Sequence, residues 1–341
     1  MNDGTWPESE EIKALQMGRP HLVILGAGAS LAAFPNGDRN GKRLPVMKTF
    51  ADVVDLKDVL RAANISEPYD DFEAIYSDIA LDPNRQELKT EIENRVLSYF
   101  SSLELPDEPT LYDHLVLSLR PKDVIATFNW DPFLCQAASR NNSFGGAPNL
   151  LFLHGNVAFP YCADCNIGYP LQSTCRKCGK LLVKSPLLYP VKQKDYQADP
   201  AIASHWRVLE QALNRAWALT MFGYGAPQTD VEAVRVMKTA WGNVNRRELE
   251  QTEIIDVRLE DDLTRTWAPF IHTHHYIIRR SFYDSYIAGF PRRSGEALWA
   301  QFMECRFFDP HEFPRDAGFS ELYNWLQRRI DAEQKAGEQS R

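Results

Sequence analysis

Short apolar runs that end in a glycine or a polar residue recur along this chain of 341 residues. Longer stretches with apolar residues at helical spacing separate them, and this alternation is typical of an α/β fold with a parallel sheet. Five runs predict strands, at 21–25, 123–127, 149–153, 217–222 and 253–257. We therefore predict a Rossmann-like parallel sheet with helices on both faces. In such sheets ligands bind at the carboxyl ends of the strands, so the polar residues there should share one crevice.

Two segments interrupt this pattern and predict insertions. Residues 49–103 carry apolar residues at helical spacing, as in FADVVDLKDVL and IENRVLSYF, and predict an inserted helical module. Residues 158–184 contain four cysteines and predict a small zinc-ribbon module. The Rossmann-like domain then comprises 18–48, 104–157 and 185–310, and a C-terminal helical extension covers 311–341. The polar ends, before about Gly18 and after about Gln334, are expected to be frayed.

The four cysteines form two Cys-x-x-Cys pairs with nine residues between them: Cys162, Cys165, Cys175 and Cys178. This spacing places four thiolates on two facing turns, as a tetrahedral zinc ion requires. Disulfides are the alternative. The opening MNDGTWPESEEIK lacks the basic start and apolar core of a secretory signal, and cytoplasmic thiols stay reduced. We therefore expect a structural zinc ion in a cytoplasmic protein, because four sulfur ligands leave no position for water.

Charge and hydropathy exclude two classes of function. The longest apolar runs, such as HLVIL, are far shorter than the roughly 20 residues that cross a bilayer, so no membrane span is expected. The formal net charge of −8 argues against general binding to duplex nucleic acid, which depends on dense Lys and Arg.

The sequence GAGAS, residues 26–30, follows the first predicted strand. Its small residues allow the backbone to approach a pyrophosphate closely, and the next helix can offer free N–H groups. Ordinary dehydrogenases would have a third glycine where this chain has Leu31, and an acidic residue about 20 positions later, where Val46 lies. GAGAS therefore predicts a nucleotide-binding turn that differs from the one in ordinary dehydrogenases. The alternative is a tight strand-to-helix turn that binds no ligand.

Two further strand ends carry candidate catalytic groups. Asn129 has a donor and an acceptor that suit ribose hydroxyls or a water molecule, and Asp131 could orient it or a nearby loop. An Asx turn is the alternative for this pair. His154 precedes a glycine, and an imidazole with a near-neutral pKa suits removal of a proton from a ribose hydroxyl. A purely structural histidine is the alternative.

The order of GAGAS, TFNWD, LHGN, the cysteine pairs and a late glycine-rich turn resembles the sirtuin family, the NAD-consuming silent information regulator proteins. The match covers most of the chain. It implies that the glycine turn holds phosphates, that Asn129 and Asp131 form the T-x-N-x-D signature, and that His154 is catalytic. The cofactor-binding residues implied are Gly26, Ala27, Gly28, Ser30, Asp131, Gly223, Tyr224 and Asp256. The cysteines correspond to the family's zinc module.

Several segments depart from the deacetylating members of that family. Their G-I-P-D-F-R run is replaced here by AAFPNGDRNGKRLPVM, in which only Pro45 corresponds to a residue of that run. The segment DFEAIYSDIA, with Asp71 and Glu73, and the turn GYGAPQTD are more similar to bacterial sirtuin-like NAD hydrolases of antiphage defence. Many of those hydrolases lack a zinc module.

The resemblance implies an NAD glycohydrolase that releases nicotinamide and ADP-ribose in abortive infection. Such an activity would be held back until a trigger acts, either a partner such as a DNA-translocating ATPase or a change of homo-oligomer. Two alternatives remain: an NAD-dependent protein deacylase whose peptide lies between the sheet and the zinc module, and a non-catalytic module that senses NAD or ADP-ribose.

Overall fold

The computed structural model describes residues 5–191, 194–226, 230–243, 245–247, 249–271 and 275–339. The strands are β1 (Thr5–Trp6), β2 (His21–Leu25), β3 (Val124–Thr127), β4 (Asn149–Phe152), β5 (Tyr161–Cys162), β6 (Ile167–Gly168), β7 (Ala218–Phe222), β8 (Gln251–Ile255), β9 (Tyr276–Arg279) and β10 (Phe307–Phe308).

The described helices are α1 (Glu8–Glu11), α2 (Ala27–Ala33), α3 (Phe50–Val53), α4 (Lys57–Ala62), α5 (Phe72–Leu81), α6 (Gln86–Ser101), α7 (Leu111–Leu117), α8 (Phe133–Arg140), α9 (Pro200–Arg215), α10 (Val231–Trp241), α11 (Glu260–Trp267), α12 (Tyr286–Gly289), α13 (Ser294–Glu304) and α14 (Phe319–Gln339). Short 3₁₀ turns occupy Met47–Thr49, Pro83–Arg85 and Phe282–Asp284.

A six-stranded parallel sheet in the order β4-β3-β2-β7-β8-β9 forms the centre of the molecule. Alternate residues of β2 point to opposite faces. Val23 and Leu25 pack with residues of α3 to α8, and Leu22 and Ile24 pack with residues of α9, α10 and α11. Helices therefore cover both faces, which explains why β2 is apolar throughout except for His21. The predicted α/β fold class is confirmed.

The five predicted strands match β2, β3, β4, β7 and β8 with ends that differ by at most two residues. The sixth strand, β9, was not predicted. It is a four-residue edge strand, its side chains are all half-buried, and its apolar stretch is only Tyr-Ile-Ile. So short a run is difficult to distinguish from a loop by sequence pattern.

The segment predicted as a helical module contains α3, α4, α5 and α6. Its aromatic residues pack on the same core as one face of the sheet; Phe50 lies against Phe72 with ring centroids 4.5 Å apart. Asp71 caps α5, because its side chain accepts a hydrogen bond from the Ala74 amide at 3.0 Å. The wider division of the chain into one domain with two insertions and a C-terminal extension stays a prediction.

The expectation of frayed ends is wrong for the described residues. Strand β1 pairs with β10, and α14 extends beyond Gln334 to Gln339. Glu11 is fully buried and accepts a hydrogen bond from Arg329 of α14 at 3.2 Å. Because a buried carboxylate needs such a partner, the two ends of the chain stabilise each other. None of the helices in the described parts of the chain is long and apolar enough to cross a membrane.

Candidate functional site

A cavity of about 280 Å³ lies at the carboxyl ends of the central strands. Residues that directly follow β2, β3 and β7 line it, namely Gly26, Phe128 and Gly223, and His154 follows β4 by two positions. The opposite wall comes from the helical segment, including Phe50 of α3 and Glu73 of α5. The sheet therefore brings the predicted strand-end residues together, as expected for a parallel sheet.

The glycine turn owes its composition to close backbone packing. A Cβ atom added to Gly26 would lie 2.5 Å from the Tyr224 Cα, and one added to Gly28 would lie 2.8 Å from the Gly223 Cα. The Gly28 amide donates to the Gly223 carbonyl at 2.9 Å. Gly26, Ala27 and Ser30 line the cavity, whereas Gly28 does not and acts by joining the turns after β2 and β7.

A hydrogen-bond network fixes Asn129 at the cavity. Its side-chain amide donates to the Gly26 carbonyl at 2.9 Å and to the Ser30 hydroxyl at 3.0 Å. The Ser30 hydroxyl in turn donates to Asp131 Oδ2 at 2.7 Å and is also bonded to the Tyr112 hydroxyl at 2.8 Å. Asp131 therefore acts on Asn129 through Ser30. Because the amide nitrogen is engaged, Asn129 Oδ1 remains an acceptor for a ligand or water.

Asp131 and Tyr112 are both buried in this network. Burial raises the pKa of Asp131 to about 6, although its hydrogen bond from Ser30 acts in the opposite direction. Burial also raises the pKa of Tyr112, so its hydroxyl stays protonated. Tyr112 is a functional candidate that sequence analysis missed, since nothing in the sequence of α7 distinguishes it from an ordinary core tyrosine.

His154 lies among aromatic rings. Its ring meets Phe128 edge-on at 4.8 Å and stacks on Tyr196 at 5.9 Å between centroids. This burial lowers the pKa of His154 to about 4, which corrects the expected near-neutral pKa. The imidazole is therefore neutral at pH 7 and can accept a proton. Its Nε2 has no hydrogen-bond partner in the part of the chain that the structure describes.

The backbone beside His154 is held by the segment 185–191 that follows the cysteines. The Leu188 amide donates to the His154 carbonyl at 2.9 Å. Gly155 has a φ of +77°, and a Cβ there would lie 1.8 Å from the Pro186 carbonyl oxygen, so only glycine fits. The His-Gly pair thus combines a cavity side chain with the turn that allows segment 185–191 to approach.

A buried ion pair forms another part of the wall. Lys194 pairs with Asp230, and each side chain is only 4% exposed. The Tyr224 hydroxyl donates to the other oxygen of Asp230 at 3.0 Å, and the Tyr224 ring stacks on Phe128 at 4.1 Å. Sequence analysis named Tyr224 but missed the ion pair, whose members lie 36 residues apart in loops that only the folded chain brings together.

Not every predicted residue reaches the cavity. Asp256 does not line it; its carboxylate instead accepts hydrogen bonds from the Arg258 guanidinium at 2.9 and 3.1 Å. Gly223 and Tyr224 do line it, while residues 227–229 of the predicted GYGAPQTD turn lie outside the described residues. Pro45, the one residue matched to the G-I-P-D-F-R run of the deacetylating sirtuins, also lines the cavity.

The four paired cysteines form a cluster. Their sulfur atoms all lie within 4.8 Å of one another, and the sulfurs of Cys162 and Cys178 are 3.5 Å apart. A tetrahedral zinc ion with Zn–S bonds of about 2.3 Å places its ligands roughly 3.8 Å apart, so the cluster fits a structural zinc ion. None of the chain's cysteines, all of which are described, forms a disulfide. Cys162 and Cys175 are buried.

No protein-family model and no curated protein matches the chain. Solved structures of Sir2 proteins do show a likeness. A Sir2 homolog–NAD complex is 16% identical, with a TM-score of 0.40 over 86% of this chain and 96% of that chain. A Sir2 enzyme bound to acetylated peptide is 15% identical, with a TM-score of 0.37 over 88% and 99%. These scores are too low to support an argument about function, which must come from the residues.

Proposed function

We propose that this protein cleaves NAD at the bond between nicotinamide and ribose, releasing nicotinamide and ADP-ribose. One observation carries the proposal: Asn129 and His154 line a single cavity together with the glycine turn. A close-packed glycine turn suits binding of a nucleotide diphosphate, and a hydrogen-bonding amide and a neutral histidine suit orientation and proton transfer at its ribose. The motif order that resembles the sirtuin family supports NAD as the nucleotide.

The cavity suits the reacting end of such a substrate. Its volume of about 280 Å³ is near the lower limit of about 300 Å³ for small-molecule sites, so we assign it to nicotinamide and its ribose. Phe128 and Trp130 provide apolar walls, and the backbone of Gly26 and Ala27 would face the diphosphate. Apolar walls suit the aromatic nicotinamide ring.

The residues divide the chemistry between them. The C1′–N bond breaks, nicotinamide leaves with the electron pair, and a water oxygen forms the new bond to C1′. Asn129 Oδ1 accepts a hydrogen bond from that water or from a ribose hydroxyl, since its amide nitrogen is held by Gly26 and Ser30. Neutral His154 accepts a proton from a ribose hydroxyl and returns it once the water has bonded to C1′ and released its own proton to solvent. The four-cysteine site would hold zinc and stabilise its segment, and it takes no part in the reaction.

A second candidate is deacylation of lysine side chains by the same NAD chemistry. The observation in its favour is that Leu188 and Pro190, from the segment after the cysteines, give the cavity an apolar side that could receive an acyl group. A third candidate, a module that binds NAD or ADP-ribose without cleaving it, would need the same lining residues but no proton acceptor. His154 lines the cavity and its Nε2 has no hydrogen-bond partner among the described residues, so the site favours the enzymatic candidates.

We place this activity in bacterial antiphage defence within the cytoplasm, where destruction of NAD would halt an infected cell. The support is the resemblance of the segments at Asp71, Glu73 and Gly223 to defence NAD hydrolases. Such an enzyme must be held back at rest, so a partner such as a DNA-translocating ATPase, or assembly into a homo-oligomer, would raise its activity above the low rate of the isolated chain.

Product analysis tests the proposal. Purified protein is incubated with NAD alone and with NAD plus an acetylated-lysine peptide, and nicotinamide and ADP-ribose are quantified. We expect equal amounts of both products without peptide. Nicotinamide release that depends on the peptide would favour the deacylase, and tight NAD binding without cleavage under any condition would favour the sensor. Asn129→Ala serves as the inactive control.

A further inference from the structure

The ion pair of Lys194 and Asp230 occupies the part of the cavity next to His154. Lys194 is the one lysine or arginine among the described residues that line the cavity, and its ammonium also lies 3.9 Å from Glu73. Asp230 is satisfied on both oxygens, by Lys194 and by the Tyr224 hydroxyl. The pair is thus a complete, water-excluded arrangement within the substrate cavity.

Contacts between rings connect this pair to the histidine. Tyr224, which donates to Asp230, stacks on Phe128, and Phe128 contacts the His154 ring. Both charges of the pair are close enough to act on the imidazole. Lys194 also follows segment 185–191, which runs from the His154 carbonyl to α5, where the Ser77 hydroxyl donates to the Pro190 carbonyl at 3.4 Å. Lys194 therefore lines the cavity together with Leu188 and Pro190 of that segment.

Displacing this lysine would be unfavourable. Removing one member of a buried ion pair leaves the other as an uncompensated charge in an environment of low dielectric constant. An acylated lysine from a substrate is neutral and cannot replace the ammonium opposite Asp230. Water needs far less space than an acyl-lysine side chain. The ion pair thus holds the Lys194 side chain in place, and the volume of that side chain discriminates between small and large nucleophiles.

We propose that Lys194, held by Asp230, is a specificity-determining residue that fills the cavity beside His154 and restricts attack on the ribose to water and very small alcohols. This inference rests on the proposed NAD cleavage. When an alcohol replaces water, the C1′–N bond still breaks and nicotinamide leaves with its electron pair. The alcohol oxygen then forms the bond to C1′ and its proton passes to solvent. The product is an O-alkyl ADP-ribose in place of ADP-ribose.

The test measures how alcohols compete with water. NAD is cleaved in matched concentrations of methanol or 1-butanol, and the ratio of butyl to methyl product is determined by mass spectrometry. This ratio does not depend on the overall rate of a variant. We compare the wild type with two double variants. The emptied variant, Lys194→Ala/Asp230→Asn, removes most of the lysine side chain and leaves no unpaired charge. The filled variant, Lys194→Met/Asp230→Asn, also removes both charges but keeps the side-chain volume. The exposed pair of α11, altered in Arg265→Ala/Asp262→Asn, is the matched control.

We expect the emptied variant to raise the butyl-to-methyl ratio by about tenfold or more, the usual effect of a few methylene groups in a binding pocket. The filled variant and the α11 control should keep the wild-type ratio. A wild-type ratio in the folded, active emptied variant, or ready use of butanol by the wild type, would overturn the inference.

A second measurement needs only the wild-type chain and so does not depend on whether the variants fold. With NAD and an acetylated-lysine peptide, the wild type should form no deacetylated peptide, and its formation would contradict the role of Lys194. If the wild type released no nicotinamide under any condition, the proposed function itself would fail, and the inference with it.

Discussion

The hydroxyl of Ser30 donates a hydrogen bond to the carboxylate of Asp131 at 2.7 Å and so joins the glycine turn after β2 to the loop after β3. The same hydroxyl accepts from Asn129, whose own position depends on it. Two strand ends that lie 101 residues apart in sequence are thereby fixed as one rigid unit. The geometry of the candidate catalytic amide is therefore set by a residue that need not touch the substrate.

We predict that Ser30→Ala lowers NAD cleavage mainly through kcat. The substitution removes the hydroxyl that buried Asp131 and the Asn129 amide share. The loss should lower the free energy of unfolding by about 1–3 kcal/mol. Steady-state kinetics and chemical denaturation would measure the two effects. Ser118 is a matched control because it is also buried and donates to the His114 carbonyl at 2.7 Å, but lies outside the cavity. Equal losses of activity in Ser30→Ala and Ser118→Ala would contradict a specific role for Ser30.

Asp131 should make stability depend on pH. Its pKa is raised from the usual 3.8 to about 6 in the folded protein. Between about pH 4 and 6 the unfolded chain loses this proton while the folded chain keeps it, so the free energy of unfolding falls as pH rises through this window. Below this pH window Asp131 is protonated in both the folded and the unfolded chain. Above the window it is ionised in both, and its full destabilising effect on the folded protein is present.

The measurement for Asp131 is urea denaturation of the wild type and Asp131→Asn at several pH values. Burial lowers the pKa values of His21, His154 and half-buried His205 to about 4. These histidines act in the opposite direction in both proteins, so the difference between the proteins isolates Asp131. We expect the stability of the variant relative to the wild type to increase from pH 4 to 6 and then level off. A constant difference would show that Asp131 titrates normally.

The close packing of the two glycine turns predicts a strong effect of Gly223→Ala. Gly223 has a φ of +61°, and a Cβ there would lie 2.2 Å from the Ala29 amide nitrogen. Backbone strain and overpacking together should lower the free energy of unfolding by about 2 kcal/mol or more. Gly41 is the matched control, since its φ is +74° but no atom lies within 4 Å of an added Cβ. Similar losses in both variants would mean that backbone conformation, and not the contact, determines the effect.

The cysteine cluster should bind one zinc ion per chain and contribute to stability. Elemental analysis of purified protein should find this stoichiometry, and a chelator should lower the melting temperature. Cys165→Ser should abolish zinc retention, whereas Cys305→Ser, at an exposed cysteine outside the cluster, should not. Full thermal stability after complete removal of zinc would contradict a structural role.

The sequence predicted most of the sheet and part of the site, for identifiable reasons. Strands buried on both faces are continuous apolar runs, so the sequence predicts β2, β3 and β7. Asn129 follows β3 and His154 follows the partly buried edge strand β4, so both are identifiable as residues at strand ends. Lys194 and Asp230 reach the cavity from loops, and Tyr112 of α7 is connected to it through Ser30, so the positions of all three depend on tertiary packing. The lowered pKa of His154 was missed because the rings that bury it are distant in sequence.

The ends of the chain also show that contacts between residues distant in sequence are difficult to predict. Residues 8–11 are mostly acidic and suggest an exposed tail, yet Glu11 meets Arg329 across 318 positions of sequence. Local composition could not reveal a partner so distant. Asp256 shows another limit, because the sequence gives a suitable residue type at a strand end but not its hydrogen bonds to neighbouring Arg258.

The most direct test of the central claim is the rate of nicotinamide release from NAD by the wild type, His154→Ala and His205→Ala. His205 is a matched control because burial also lowers its pKa to about 4, but it does not line the cavity. We predict that His154→Ala loses about 10²- to 10⁴-fold in turnover, the usual contribution of a positioned acid or base, while His205→Ala keeps the wild-type rate. Cleavage of NAD by folded His154→Ala at the wild-type rate would contradict the account.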